Sequence, residues 1–376
     1  MRYIYNLLLL IIISLVYPSC KSNIQVKDEY QVISSEDLAT AEENHLLIED
    51  IEFIPLSTGD DHLIGKVCGV QYQNGKFYIF DNWINKSVTV FSENGNFQYK
   101  IDKTGRGPGE YAIVTAFDVD TSGNVYLLDP QSQKLLCYSD EGKTFRNVEA
   151  HPSFSEFKFL DANSIIAFLP FTEMGVFDCY GMINLSNQRY KSLLELRDEI
   201  DKNFYFHELS HIFRSKGNIY IYPRFSNIIY KVNSTTVSPV LKFVEDTPLT
   251  EDEIKIILDD RQAYISNKDN ILSVSGIYEA DNVLYISYHK DHDSDFFYSL
   301  NSETIGRINR VDDCELIGSS KIYGSTGDRF ISIINSNSLD EDKVIGSCLP
   351  DSIKALLYQR DFSANPVIAL FRLKEF

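Results

Sequence analysis

The chain has 376 residues, enough for two or three ordinary domains or for one long all-β domain, and apolar residues make up 44% of it, ample for a core. Its 54 acidic and 35 basic side chains leave a net charge of −19, which argues against nucleic acid or an anionic lipid surface as a partner, since both need a positive field. Neutral, cationic and protein ligands remain, and the 23 Tyr and 24 Phe favour pleated sheet.

At the N-terminus Arg2 precedes an almost wholly apolar run, Ile4 to Val16, that leads into "YPSC", the layout of a targeting segment rather than of a folded element. A cysteine after a short apolar run and a small residue resembles the lipobox of bacterial lipoproteins. That resemblance implies a signal peptide over residues 1–20 and lipidation of Cys20, although Tyr17 stands where the pattern usually has Leu. A plain transmembrane anchor is the competing reading, but the run is short for a span of about 20 residues. Residues 21–45 are polar and read as a tether, which leaves 46–376 as the folded domain. Cys68, Cys137, Cys179, Cys314 and Cys348 contain no C-x-x-C pair and cannot all pair within one chain. They give no strong metal or redox signal, and some of them read as small apolar core residues.

A strand, turn, strand pattern then recurs. "NGKFYIFDNWINKSVTVFSENGNFQYKI" (Asn74 to Ile101) is followed by "SGNVYLLDPQSQKLLCYSDEGKTFRNV" (Ser122 to Val148). Each has a Gly turn, an apolar strand closing on Asp81 or Asp129, a polar turn and two further strands. Weaker copies follow, so that second strands begin near Phe77, Val125, Ile165, Ile219, Leu284 and Phe330, at intervals of 40 to 65 residues. Short strands at that period are the signature of propeller blades. The sixth unit has only three recognisable strands, so "DIEFIPLS" (Asp50 to Ser57) is expected to complete it and close the ring. Two helical insertions are expected, at "PLTEDEIKIILDDRQAY", where Thr250 and Glu253 make a capping box, and at "LPDSIKALLYQRD". The expected fold is therefore all-β: a six-bladed β-propeller of four-stranded antiparallel blades, closed by an N-terminal strand, with two short helical insertions.

The glycine-rich "KTGRGPGEY", Lys103 to Tyr111, is followed by the strand-like "AIVTAFDVD" and lacks the spacing of a phosphate loop. It reads as the crossover from blade one to blade two, with Gly105, Gly107 and Gly109 permitting positive φ. This loop, the opening "IEFIPLST" and "YPRFSNIIYKV" in the fourth blade together resemble the six-bladed β-propeller lipoproteins of Bacteroides-type bacteria, and "FDNWINKSVTVF" is similar to the NHL repeat. The resemblance covers about 46–376 and implies a fold and a compartment more than an activity.

In a propeller the crossovers and the turns between second and third strands share one face, which collects scattered residues. Trp83, the sole tryptophan, Arg106, Glu110 and Arg224 are the ligand-binding candidates there, and Asp81 and Asp129 read as caps of their own turns. "HELSH" matches the zinc motif H-E-x-x-H, but that motif needs a helix. Here the segment reads as the innermost strand of blade four, where His207 and His211 would line the channel and Glu208 would point the other way. "HKDHDSD" adds Asp291 and His292 as ligand-binding candidates but lacks the glycine and glutamate of a calcium loop. No metal, cofactor or nucleic acid is assigned.

The expected function is a non-catalytic envelope lipoprotein, periplasmic or outer-membrane, that binds a small-molecule, glycan or envelope-protein ligand on that face. Its only contact with the membrane is the lipid anchor. The alternatives are a metal-assisted hydrolase or lyase using His207, His211 and His292, and a purely structural subunit of an envelope complex.

Overall fold

A computed structural model describes residues 30–148, 154–171, 177–187, 189–194, 212–215, 217–223, 225–233, 236–267, 269–290, 292–308, 321–335, 351–358 and 364–376. The chain begins with β1 (Gln31–Ser34), α1 (Ser35–Glu43), β2 (His45–Leu46) and β3 (Ile48–Pro55). Blade one follows as β4 to β7 (Gly69–Gln73, Lys76–Asp81, Ser87–Ser92, Phe97–Ile101). Blade two is β8 to β11 (Ala116–Val119, Val125–Asp129, Lys134–Ser139, Thr144–Val148). Blade three is β12 to β15 (Glu156–Phe159, Ser164–Phe171, Phe177–Asn184, Arg189–Leu194), and blade four is β16 to β19 (Ile212–Ser215, Asn218–Ile221, Ile228–Val232, Val237–Val244). After α2 (Glu251–Asp259) and α3 (Arg261–Ser266) comes blade five, β20 to β23 (Ser273–Ala280, Val283–His289, Asp293–Ser299, Ile305–Ile308). Blade six holds β24 (Ile322–Ser325) and β25 (Phe330–Ile334), then α4 (Asp351–Tyr358) and β26 (Val367–Leu373).

Each blade is an antiparallel meander whose hairpins are set by local turn chemistry. Asn74 and Gly75 join β4 to β5 with φ of 52° and 71°, the paired positive angles that match the twist of the strands they connect. The second and third strands of a blade pack against neighbours on both sides, so their apolar residues run on without alternation. In β5, Phe77 to Asp81 are all buried, as is every residue of β9. The first strands touch one another in sequence right round the ring, from β4 through β24 and back to β4.

Among the described residues the core forms six apolar clusters, each wedged between two successive blades. Between blades five and six, the rings of Phe297 and Phe371 flank Phe330 at centroid distances of 5.2 and 5.6 Å. Each cluster needs both its blades, because a lone blade would leave both faces wet.

Closure is made by the strand expected for it. Blade six has the order β24-β25-β26-β3, and β3 pairs antiparallel with β26 from Pro55↔Val367 to Ile48↔Leu373. Ile54, Leu56, Ile368 and Leu370 then join Val70, Phe77 and Ile79 of blade one in a single cluster across the seam. Asn365, only 1% exposed, ties the knot with its side chain. Its Nδ2 donates to Ser57 O at 2.8 Å and His62 O at 3.1 Å, and its Oδ1 accepts from Ile64 N–H at 2.8 Å.

Much of the segment expected as a tether is ordered on the ring. β1 runs parallel to β19 and β2 parallel to β23, adding a fifth strand to blades four and five. Between them α1 starts with a capping box, in which Ser34 Oγ accepts from Asp37 N–H and the Asp37 carboxylate accepts from Ser34 N–H. Glu42 binds Arg307 at 2.9 Å, and Ala41 is fully buried. The physical reason is edge pairing: the outer strands of those two blades present unpaired N–H and C=O groups, which a short parallel strand satisfies.

Asn365→Ala leaves the carbonyls of Ser57 and His62 and the Ile64 N–H without their partner. Loss of about 2–4 kcal/mol of unfolding free energy is expected by urea denaturation; a loss below about 0.5 kcal/mol would place the latch elsewhere.

Candidate functional site

Strand direction sorts the connections onto two faces. The longer ones share one face, here called the crossover face: 57–68, 102–115, the stretch holding α2 and α3, and the stretch holding α4 between β25 and β26. The opposite, turn face carries tight hairpins such as those at Asn74–Gly75 and Asp281–Asn282. The capping box foreseen at α2 is present, with Thr250 Oγ1 accepting from Glu253 N–H and the Glu253 carboxylate accepting from Thr250 N–H at 2.9 Å. Those hydrogen bonds from Thr250 hold the Glu253 carboxyl below its usual value.

On the crossover face Asp81 is a structural anchor, only 2% exposed. Its Oδ1 accepts from Trp83 N–H at 3.1 Å and Ile84 N–H at 2.8 Å, and its Oδ2 accepts from Gly65 and Lys66 N–H, both at 3.0 Å. One carboxylate thus stitches the blade-one turn to the preceding crossover. Asp129 does the same in blade two through Ala112 N–H at 2.7 Å and Ser132 N–H at 3.0 Å. With the backbone so fixed, Trp83 and Ile84 stand out at 72% and 58% exposure. The Lys66 ammonium lies 5.1 Å from the Trp83 ring centroid, a cation–π contact.

The glycine-rich crossover is shaped by its own glutamate. Glu110 folds back so that Oε2 accepts from Gly107 N–H at 2.7 Å. A Cβ on Gly105 would collide with that oxygen, and one on Gly107 would meet it at 3.0 Å. Of the three glycines that permit positive φ, only Gly109 uses it, at 69°; the other two are glycine to make room for a carboxylate. Behind the loop the buried Tyr111 hydroxyl donates to Lys86 O at 2.7 Å and accepts from Lys103 N–H at 3.1 Å, and burial pushes its phenol well above the usual value. Arg106 is exposed at the tip. Glu110 is engaged inside the loop, and Arg106 is presented by it.

In blade five, His289 Nδ1 and Asp293 Oδ1 lie 2.9 Å apart across the hairpin, and His292 Nε2 lies 3.2 Å from Ser294 Oγ. Arg224, Asp291, His207 and His211 fall outside the described residues, and β16 is described from Ile212. Among the described residues, no group of three or more His, Cys, Asp or Glu side chains is placed to hold a metal ion. The structure adds Lys66 and Lys321, which sequence reading did not single out, and of the described cysteines it buries Cys137 but exposes Cys68. Lys321 is exposed at the head of the innermost strand of blade six. The one available signal was position, directly before a first strand.

Towards the turn face the channel is laced by side chains. Gln71 bonds both N–H and C=O of Val119 at 3.0 Å. Asp118, fully buried, accepts from Phe159 N–H at 2.6 Å and from Arg214 Nη1 at 3.0 Å, and Arg214 also donates to Val119 O at 3.1 Å. The Ser215 and Ser325 hydroxyls donate to Glu279 O at 2.9 and 2.7 Å. Arg214→Ala strands a buried carboxylate, so a loss of about 3–5 kcal/mol by chemical denaturation is expected; a loss below about 1 kcal/mol would show the pair to be dispensable.

No curated protein matches the sequence. Among solved structures it is similar to a Bacteroides fragilis protein named as a candidate exported protein, at 19% identity and a TM-score of 0.71 over 92% of this chain and 100% of that one. It is also similar to a member of the DUF4221 family from Bacteroides vulgatus, at 12% identity and a TM-score of 0.54 over 88% of this chain and 99% of the other. At such identities the likeness speaks for the fold alone. Residues 23–372 match the model of a domain of unknown function, DUF4934, and the chain therefore belongs to the DUF4934 family, built here as a six-bladed β-propeller.

Proposed function

We propose that this protein is a lipid-anchored component of the bacterial envelope that binds a small-molecule, glycan or protein ligand on its crossover face without transforming it. The observation that carries this reading is Trp83. It is a large aromatic side chain at 72% exposure, on a backbone held by four hydrogen bonds to Asp81. Burying such a ring would favour folding by about 2–3 kcal/mol, so its display is a cost that a stacking partner offsets. A sugar ring or another flat group suits it. Lys66 beside the ring and Arg106 on the next crossover supply cations in a chain of net charge −19, and a guanidinium matches carboxylate or phosphate in a forked pair. An acidic glycan combines both features.

The envelope compartment is supported by the export-type N-terminus and the cysteine that ends it, and by the structural neighbour from Bacteroides fragilis named for export. Acylation of Cys20 is the anchor this reading requires.

Trp83 is the protein's only tryptophan, so intrinsic fluorescence reports the crossover face directly. Titration with neutral and acidic oligosaccharides is expected to shift its emission saturably, and Trp83→Ala to weaken binding, measured by calorimetry, by about tenfold or more. Arg106→Ala is expected to weaken acidic ligands selectively. Binding that survives both substitutions unchanged would move the site off this face.

A further inference from the structure

We propose that the turn face of the propeller is the side turned towards the membrane, so that the crossover face, with Trp83 and Arg106, points away from it. The inference rests on the acylated Cys20 proposed above and adds an orientation to it. It follows from the direction in which the chain enters the fold. β19 is the fourth strand of blade four and runs from the turn face at Val237 to the crossover that follows Val244. β1 is parallel to it, with Gln31 opposite Leu241 and Ser34 opposite Val244. β1 therefore runs towards the crossover face and opens on its turn-face side.

Two contacts pin this entry. Gln31 Nε2 donates to Glu303 Oε1 at 2.5 Å, and Glu303 belongs to the turn between β22 and β23, on the turn face. The Lys242 ammonium lies 5.9 Å from the Tyr30 ring centroid, holding that residue against β19. The C-terminus reaches the same side, where Ser302 Oγ donates to Phe376 O at 2.6 Å.

The stretch from Cys20 to Tyr30 reaches at most about 35 Å when fully extended. An inverted ring would use about 17–20 Å of that merely to run back along a blade edge, and would press the loops into the headgroups. Held by the turn face, the ring keeps its reach and presents Trp83 to the aqueous side. The charge of −19 further disfavours any face lying flat on anionic lipid.

The test uses the full lipidated chain in phosphatidylcholine vesicles carrying a dansyl headgroup acceptor. Energy transfer from Trp83 is compared with transfer from a Trp83→Phe, Asn301→Trp protein, whose single tryptophan sits on the turn face, in the same turn as Glu303. Transfer several-fold stronger from position 301 is expected. Equal transfer from the two sites, or stronger transfer from Trp83, overturns the orientation. Mass spectrometry of the same samples keeps the two ideas apart: an acylated Cys20 with the reverse order of transfer removes the orientation alone. A chain without acyl groups on Cys20 that fails to float with vesicles removes the anchor, and the orientation with it.

Discussion

The structure depends on one antiparallel pairing between segments at opposite ends of the chain, β3 with β26. Among the described residues every apolar cluster lies between two blades, so no blade has a complete core until both its neighbours are in place. Five of the six interfaces join blades that follow one another in sequence, and the sixth joins the last to the first. Ile54 and Leu56 complete that sixth interface beside Phe77 and Ile368. The entropic cost of such a long closure is modest, since each doubling of loop length adds only about 0.6 kcal/mol. What the seam needs is specificity, and the Asn365 side chain, bonded to a carbonyl and an amide of the first crossover, fixes the register of the joint.

A ring of sheets also has two sets of edges. The inner edges face the channel and are too crowded for further strands, so side chains stand in for them. The amide of Gln71 pairs with the N–H and C=O of Val119 much as a neighbouring strand would. Asp118, Arg214, Ser215 and Ser325 do comparable work between other blades. At the rim, β1, β2 and β3 cover blades four, five and six in turn. The outer strands of blades one to three, β7, β11 and β15, instead carry Lys100, Arg146 and Lys191, the kind of side chain that discourages edge-to-edge pairing. The N-terminal belt is thus part of the fold, although it lies outside the repeat.

What could be read from the sequence follows from this layout. Phe77, Val125, Ile165, Ile219, Leu284 and Phe330 each fall in the second strand of a blade, because that strand is buried on both faces and spells a continuous apolar run. The closing strand was legible because the sixth unit was one strand short. The belt was not: β1 and β2 are four and two residues long and are held by backbone bonds to edges far away in sequence, which leave almost no periodic signal. Ser34 and Asp37, three apart, were the one local clue. Nor could sequence show that Glu110 turns inward, since a carboxylate over two glycines is a three-dimensional fact.

The candidate site reflects a division of labour between backbone and side chain. Asp81 and Asp129 are buried and give their oxygens to main-chain amides, so the crossover face is held by residues that do not reach the surface. The exposed residues between them make few contacts that the fold requires. Trp83 touches only Lys66 among the ring contacts described, and Arg106 stands on a loop whose shape is set by Glu110, Gly105 and Gly107. Substituting the displayed side chains therefore leaves the blades standing, whereas substituting their supports does not. Membership of the family therefore speaks for the architecture, and the displayed side chains Trp83, Lys66 and Arg106 are set on it without being needed to hold it.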